Sequence, residues 1–426
     1  MDHDNPTSSS IATLVSKISS IATDHPDGIE TEPQARAALL QASRALVASL
    51  EEPYVTVEDL AFGPYRLAAV QLAVDIGLFE KLTDAEGPLT LRQLAAMCEV
   101  EETLLKHIAI VLVAQNFIAE DEILDLGSGQ HAYTATSLAK HMTKPNVQAG
   151  VRYHLEMSSP IVARASAFFR QNDYRLPRSM TAGLFNYALD TKEDSFAYWG
   201  KRPEASNVLN TFFQGYFERP NVTPLQWFPY DQVIFNDFDS CKSGSEYMYV
   251  DVGGGKGLPI SRLLQKYPFA ADKGKFALED LPQAINQIGR GSLDSRIECV
   301  AHDFFTPQPI RGARAYFLEN ILHNWTDDSC RQILGHIRDA MTPEYSKLMV
   351  SAKILPNKEV PQFSAQLDFY LLLIHNSRTR NKSEWLDLIG SVHGLDVVKV
   401  WSTPDVVEGN GVLEVERTVD RISLIL

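Results

Sequence analysis

The stretch YMYVDVGGGKGLPISRLLQKYP, residues 247–268, decides how this chain folds. It opens on an apolar run suited to a buried strand and bends through Gly253, Gly254, Gly255 and Gly257. It then continues with apolar residues at helical spacing and Pro259 in the first turn. A strand, a glycine turn and a helix in that order bring backbone N–H groups close to a ligand at a helix N-terminus. The next apolar run, FALEDLP (276–282), places Glu279 and Asp280 where a second strand ends, the position from which an acid binds ribose hydroxyls. The glycines are spaced Gly-x-Gly-x-Gly, because the position two after Lys256 is Leu258. That spacing favours a small adenosyl ligand over a dinucleotide.

Working outward toward the C-terminus, apolar runs such as IECVAHD (297–303), ARAYFLENIL (313–322) and KLMVSAKIL (347–355) alternate with helical patterns such as CRQILGHIRDAM (330–341). The alternation predicts a parallel sheet flanked by helices over residues 241–426. Residues 146–240 read as a helical connector rich in aromatics that also walls a pocket. Over 36–145, helical runs precede a hairpin-like piece, FIAEDEILDLGSGQHAYTAT (117–136), which is a winged-helix plan. Its LDLGSGQ (124–130) is a second Asp-x-Gly-x-Gly stretch, but no acid follows at a comparable spacing, so it reads as the turn of the wing. Residues 1–35 read as a loosely ordered arm with one short helix, 11–21.

The bulk numbers narrow the class. A net charge of -15 over 426 residues leaves no basic excess for a nucleic-acid backbone, so the winged unit is expected to pair with another protein chain. Four cysteines without CxxC spacing fit a reducing compartment. With neither a basic leader nor a long apolar run, no membrane segment is expected and the protein is expected to be cytoplasmic.

The glycine turn, EDLP (279–282), HDFF (302–305), LHNW (322–325) and SEWLDLIGSVHGLDVVKVW (383–401) occur in an order that resembles the plant-type and fungal S-adenosylmethionine-dependent O-methyltransferases. The resemblance spans roughly residues 40–426. It implies a Rossmann-like class I methyltransferase domain preceded by a mostly helical winged-helix dimerisation domain, hence a homodimer acting on a small-molecule natural product. By the same resemblance Asp251, Gly253 and Gly255 line the methionine end of S-adenosylmethionine. Asp280, with Glu279, binds its ribose; Asp303 and Phe304 flank its adenine; Trp325 borders the cofactor or the substrate. His323 takes the place of the family's general base, which removes a phenolic proton. The plainer alternative makes His323 a cap for the helix that follows.

Several residues depart from that pattern. Asn324 follows the histidine where Asp is usual, and Glu319 stands four before it where a basic residue is common. The two glutamates that hold the family's histidine are replaced by Ala352 and by Ser377 or Thr379, depending on alignment. Lys353 adjoins the first of these places. Strand alternation turns it away from the side Ala352 faces, leaving either a solvated lysine or, with a bulge, a donor to a substrate oxygen. The combination resembles the methyltransferase-like pericyclases of fungal polyketide–nonribosomal-peptide pathways. These dehydrate pyridone alcohols to quinone methides and close them by Alder-ene or hetero-Diels–Alder reactions, keeping the cofactor unconsumed. The implied catalytic residues are His323 and Lys353, with His154 and His375 as further pocket candidates. The alternative is a working O-methyltransferase on a phenol or enol.

Overall fold

The structure, a computed structural model, describes residues 10–25, 29, 32–122, 131–177, 179–216, 223–289, 291–358, 360–403 and 409–418. The LDLGSGQ stretch expected to form the turn of the wing lies outside them. The chain divides into two units, Met1–Thr143 and Lys144–Leu426.

In the first unit, helices Ile11–Asp24 and Pro33–Leu50 precede Pro53–Ala61, Gly63–Asp75 and Leu78–Thr83. The first is longer than the expected 11–21, and the boundary expected after residue 35 falls inside the second. Gly77 takes φ +66°, a left-handed turn that lets the chain break between two helices without a Cβ clash. Helix Leu91–Cys98 starts on a capping box in which Thr90 and Gln93 satisfy each other's backbone N–H groups. Helix Glu102–Ala114 leads into the wing. There β1 (Leu89–Thr90), β2 (Ile118–Glu122) and β3 (His131–Ala135) pair antiparallel in the order β1-β3-β2. Phe79, Leu94, Leu105, Ile108 and Leu112 form the buried centre of the unit. Helices 53–61 and 63–75, by contrast, leave Tyr54, Val57, Leu60, Phe62 and Tyr65 exposed.

In the second unit, helices from Pro145–Arg152 to Pro203–Tyr216 lead to β4 (Tyr247–Val252), β5 (Lys275–Asp280), β6 (Ile297–Ala301), β7 (Ala315–Glu319) and β8 (Lys347–Leu355). The short β9 (Arg380–Asn381), then β10 (Leu395–Ser402) and β11 (Asn410–Arg417), follow. The sheet order is β10-β11-β8-β7-β4-β5-β6, with β9 paired to β8 off that path. Strands β4 to β8 are parallel, whereas β10 and β11 pair antiparallel. Apolar cores cover both faces, one around Tyr316, Leu334 and Trp385, the other around Phe235, Phe276 and Phe317. This explains why the parallel strands read as unbroken apolar runs rather than alternating ones. The strand order reverses between β4 and β7, and a crevice opens at the carboxyl ends of strands at such a point. Among the described residues no helix is long and apolar enough to cross a membrane.

Candidate active site

A cavity of about 500 Å³ opens at this reversal, entirely within the second unit. One side is the glycine turn. Gly253, Gly255 and Gly257 take φ of +76°, +61° and +77°, all in the left-handed region open to glycine. The backbone N–H groups of Gly253 and Gly254 donate to the Glu279 carbonyl at 2.8 and 3.1 Å, tying the turn to the end of β5. Asp280 accepts from Gly255 N–H at 2.8 Å and from Leu281 N–H at 2.7 Å, and its carboxyl lines the cavity. Burial raises its pKa, an effect opposed by those two donors. Alternation along β5 turns Glu279 the other way. It is fully buried, accepts from Gln308 Nε2 at 2.8 Å, and does not line the cavity, so Asp280 alone is placed to meet a ribose. Burial lifts Glu279 to about 7.

Asp251 and Glu319 also face the cavity from the ends of β4 and β7. Phe304 packs against the turn, its ring 3.4 Å from where a Cβ on Gly253 would stand. Asp303 is exposed and bonded to its own loop, accepting from Phe305 N–H at 3.0 Å. Neither Asp303 nor Phe304 is on the cavity wall, contrary to their expected places beside an adenine.

The opposite wall is aromatic and aliphatic: His154, Phe196, Leu209, Phe212 and Phe213 from the connector, and Phe363, Leu367 and Tyr370 from helix Gln362–His375. The aromatic connector was expected to wall a pocket, and Phe196, Phe212 and Phe213 do so; Phe363, Leu367 and Tyr370 were not expected there, because their spacing is that of any buried helix face. His154 packs edge-on to Tyr153 and Phe212, and burial lowers its pKa. Two other pocket candidates stand one layer back. Trp325 is buried among Phe304, Phe305 and Phe196. His375 stacks on Phe196 at 4.9 Å and shares hydrogen bonds with Ser195 Oγ (2.7 Å) and Tyr370 OH (3.3 Å). Phe196 thus screens both from the cavity.

His323 does line the cavity, on a 3₁₀ turn, Leu322–Asn324, that follows β7. Thr326, not His323, caps the next helix by accepting from Ser329 N–H. The turn is held from behind. Ser377 Oγ donates to the carbonyls of His323 (2.6 Å) and Trp325 (2.9 Å), and Arg380 donates to those of Leu322 and Trp325. Ser377, one of the two positions expected to replace the family's second glutamate, thus fixes the backbone of the turn, while the other, Thr379, donates to Asp368. Ala352 is packed in the core beside Trp385. Among the described residues no group accepts from or donates to His323 Nδ1. Burial, then the charges of Arg380 and Lys353, push the imidazole down to about 4.

Lys353 corrects both expectations made for it. It is 1% exposed and so not a solvated lysine, yet it is not on the cavity wall either. Alternation along β8 sends it opposite to Ala352 and under helix Gln362–His375, with Nζ 5.3 Å from the centroid of Phe363. Its charge reaches His323; its ammonium does not reach the cavity.

A glycine turn at a switch point, with an acid ending the next strand, is a nucleoside-binding arrangement, and the Gly-x-Gly-x-Gly spacing fits the S-adenosylmethionine-binding methyltransferase class. The glycines leave room for a ligand backbone cannot otherwise approach, and Asp280 stands ready for ribose hydroxyls, so the residues present fit the cofactor. Residues 234–394 match the model of the O-methyltransferase domain, and residues 58–145 that of the O-methyltransferase dimerisation domain. The O-methyltransferase penC of Penicillium thymicola is 32% identical over 413 residues, 97% of each chain. The chain belongs to this O-methyltransferase family and is an enzyme on its scaffold. Two solved structures share the fold, each covering 96% of this chain and 99% of its own: one described as a pericyclic reaction enzyme (TM-score 0.82, 24% identity) and LepI in complex with S-adenosylmethionine (TM-score 0.82, 23% identity).

Proposed function

We propose that the enzyme dehydrates an acidic enol alcohol of the hydroxypyridone type to a quinone methide and guides its Alder-ene or hetero-Diels–Alder closure, without methyl transfer. The observation that carries this reading is the state of His323: a cavity-lining imidazole with no carboxylate on its ring and two buried cations nearby. Taking a proton from an ordinary phenol, six pKa units above such an imidazole, costs roughly 8 kcal/mol. A vinylogous acid narrows that gap. His323 takes the enol proton, electrons move through the ring to the carbinol carbon, and the C–O bond breaks. The imidazolium returns its proton to the departing hydroxide, so one water leaves and His323 ends neutral.

The wall of Phe212, Phe213, Phe363 and Leu367 then folds the apolar chain over the diene, an effect of orientation rather than proton transfer. Burial and Arg380 hold His323 uncharged, and Lys353 adds to them from behind Phe363. When bound, S-adenosylmethionine supplies a sulfonium charge and a transferable methyl group. Support for the reading also comes from the fold shared with a pericyclic reaction enzyme. The likeness to the O-methyltransferase penC favours the second reading, methylation of a phenol or enol.

Mass spectrometry of purified protein with S-adenosylmethionine and a hydroxypyridone alcohol separates them. Loss of one water with the cofactor unconsumed is expected. Gain of one methyl with release of S-adenosylhomocysteine establishes methyl transfer instead.

The dimerisation domain serves here to pair two copies of the chain. Leu60 is 77% exposed and Tyr65 69% exposed in the single chain, on the apolar face of helices 53–75. Leu60→Glu combined with Tyr65→Glu is expected to give a folded monomer by sedimentation; an unchanged dimer would place the interface elsewhere.

A further inference from the structure

Tyr370 puts a phenol on the aromatic wall of the cavity, and that phenol heads a buried chain of hydrogen bonds. Tyr370 OH meets Tyr153 OH at 2.5 Å and His375 Nε2 at 3.3 Å, and His375 Nδ1 meets Ser195 Oγ at 2.7 Å. Tyr153, Ser195 and His375 are all buried. They reach one point from the turn Tyr153–Ser158, the start of helix Ser195–Gly200 and the end of helix Gln362–His375.

Where the protons sit follows from what each group can reach. Among the described residues the Tyr153 hydroxyl has no partner but Tyr370, and the Ser195 hydroxyl none but His375. A buried hydroxyl proton without an acceptor is costly, so Tyr153 donates to Tyr370 and Ser195 donates to His375 Nδ1. His375 is uncharged, because burial, then His323, pushes it down to about 3. A neutral imidazole that accepts at Nδ1 carries its proton on Nε2, so His375 donates to Tyr370 as well. The phenol oxygen thus accepts twice, and burial keeps its own proton in place. That proton has no acceptor left within the chain and is free for whatever occupies the cavity. Two bonds accepted at the oxygen also polarise its O–H and make it a stronger donor.

We propose that Tyr370 donates a hydrogen bond to a second oxygen of the substrate, the carbonyl conjugated with the enol whose proton His323 takes. The inference rests on the acidic-enol reading of the substrate. It supplies the donor that Lys353, buried off the cavity wall, does not. The Tyr370 proton stays on its own oxygen throughout. As His323 removes the enol proton, negative charge spreads through the conjugated system to that carbonyl, and the hydrogen bond strengthens where the charge develops. After water has left, the same donor draws electron density from the quinone methide and favours its cyclisation. A ligand offering an ammonium or a hydrocarbon at this place meets a donor it cannot satisfy, so Tyr370 selects for an oxygen acceptor.

The test is calorimetric titration of the full chain with two unreactive probes, a 3-alkyl-4-hydroxy-2-pyridone and the matching 3-alkyl-4-hydroxypyridine, compared as a cycle between wild type and variants. The second probe lacks the carbonyl oxygen, and neither has a carbinol to lose. Tyr370→Phe is expected to weaken the pyridone about tenfold or more, and the pyridine by less than about twofold. Tyr153→Phe leaves the donor in place but removes one bond polarising it, and should weaken the pyridone about threefold while again sparing the pyridine. Equal losses on the two probes would show a wall that only packs, and would refute the donor role. If the wild type binds both probes and Tyr370→Phe matches it, the donor fails while the acidic-enol reading stands. If the wild type binds neither probe, that reading has failed and the donor falls with it.

Discussion

His323→Ala is expected to lower turnover roughly 10²–10⁴-fold, the range for loss of a positioned proton-transfer group. Binding of S-adenosylhomocysteine should be unaffected, since the glycine turn and Asp280 are untouched. His323→Gln keeps the size and polarity of the side chain without its basicity, and should fall as far. The pH profile offers a second readout. With its pKa pushed down to about 4, the imidazole is uncharged throughout the neutral range, so turnover should hold steady on acidification until pH nears 5 and then decline. A rate within threefold of wild type for both variants would mean that the cavity walls alone drive the reaction.

Arg380→Met should have the largest effect on stability. The guanidinium is 1% exposed and bonds Asp327 Oδ1 at 2.6 and 3.1 Å, as well as the carbonyls of Leu322 and Trp325. Breaking a buried ion pair costs 3–5 kcal/mol where the remaining charge stays buried. Asp327 is partly exposed and can be rehydrated, so about 3 kcal/mol is expected from urea denaturation near neutral pH. The same substitution removes a positive charge acting on His323, whose pKa should climb back toward its ordinary value. The sign for stability follows from that. In the wild type the unfolded imidazole takes a proton below about 6.5 that the folded one refuses until about 4, so His323 costs stability as pH falls across that window. In Arg380→Met the window narrows and the acid limb of the rate profile moves upward. Unchanged stability together with an unchanged limb would show that Arg380 neither clamps the turn nor acts on the imidazole.

The parallel half of the sheet was legible because its strands are buried on both faces and read as continuous apolar runs, with Gly253–Gly257 marking a turn after β4 that needs left-handed backbone. Asp280 and His323 were legible for the same reason: each ends such a run. Residues whose position depends on tertiary packing were not. Nothing in the alternation of β8 says that a helix beginning at Gln362 will bury Lys353, and nothing near Trp325 or His375 says that Phe196 will stand in front of them. The environment of Glu319 was equally hidden. Sequence shows a reversed charge, whereas burial at the end of β7, with Asp251 beside it, lifts its carboxyl to about 8 and favours the protonated form.

The place of β11 in the sheet has a consequence for how the chain is made. It comes after β10 in sequence but lies between β10 and β8, so the β10–β11 and β11–β8 ladders cannot form until residues 410–417 have left the ribosome, although β8 is by then paired to β7 and β9. Throughout synthesis of the rest, β8 presents an apolar, unpaired edge behind a nearly complete parallel sheet, the kind of surface on which nascent chains aggregate. Expression yield should therefore respond more to chaperone supply and to changes in this one late strand than to comparable changes in the strands made before it.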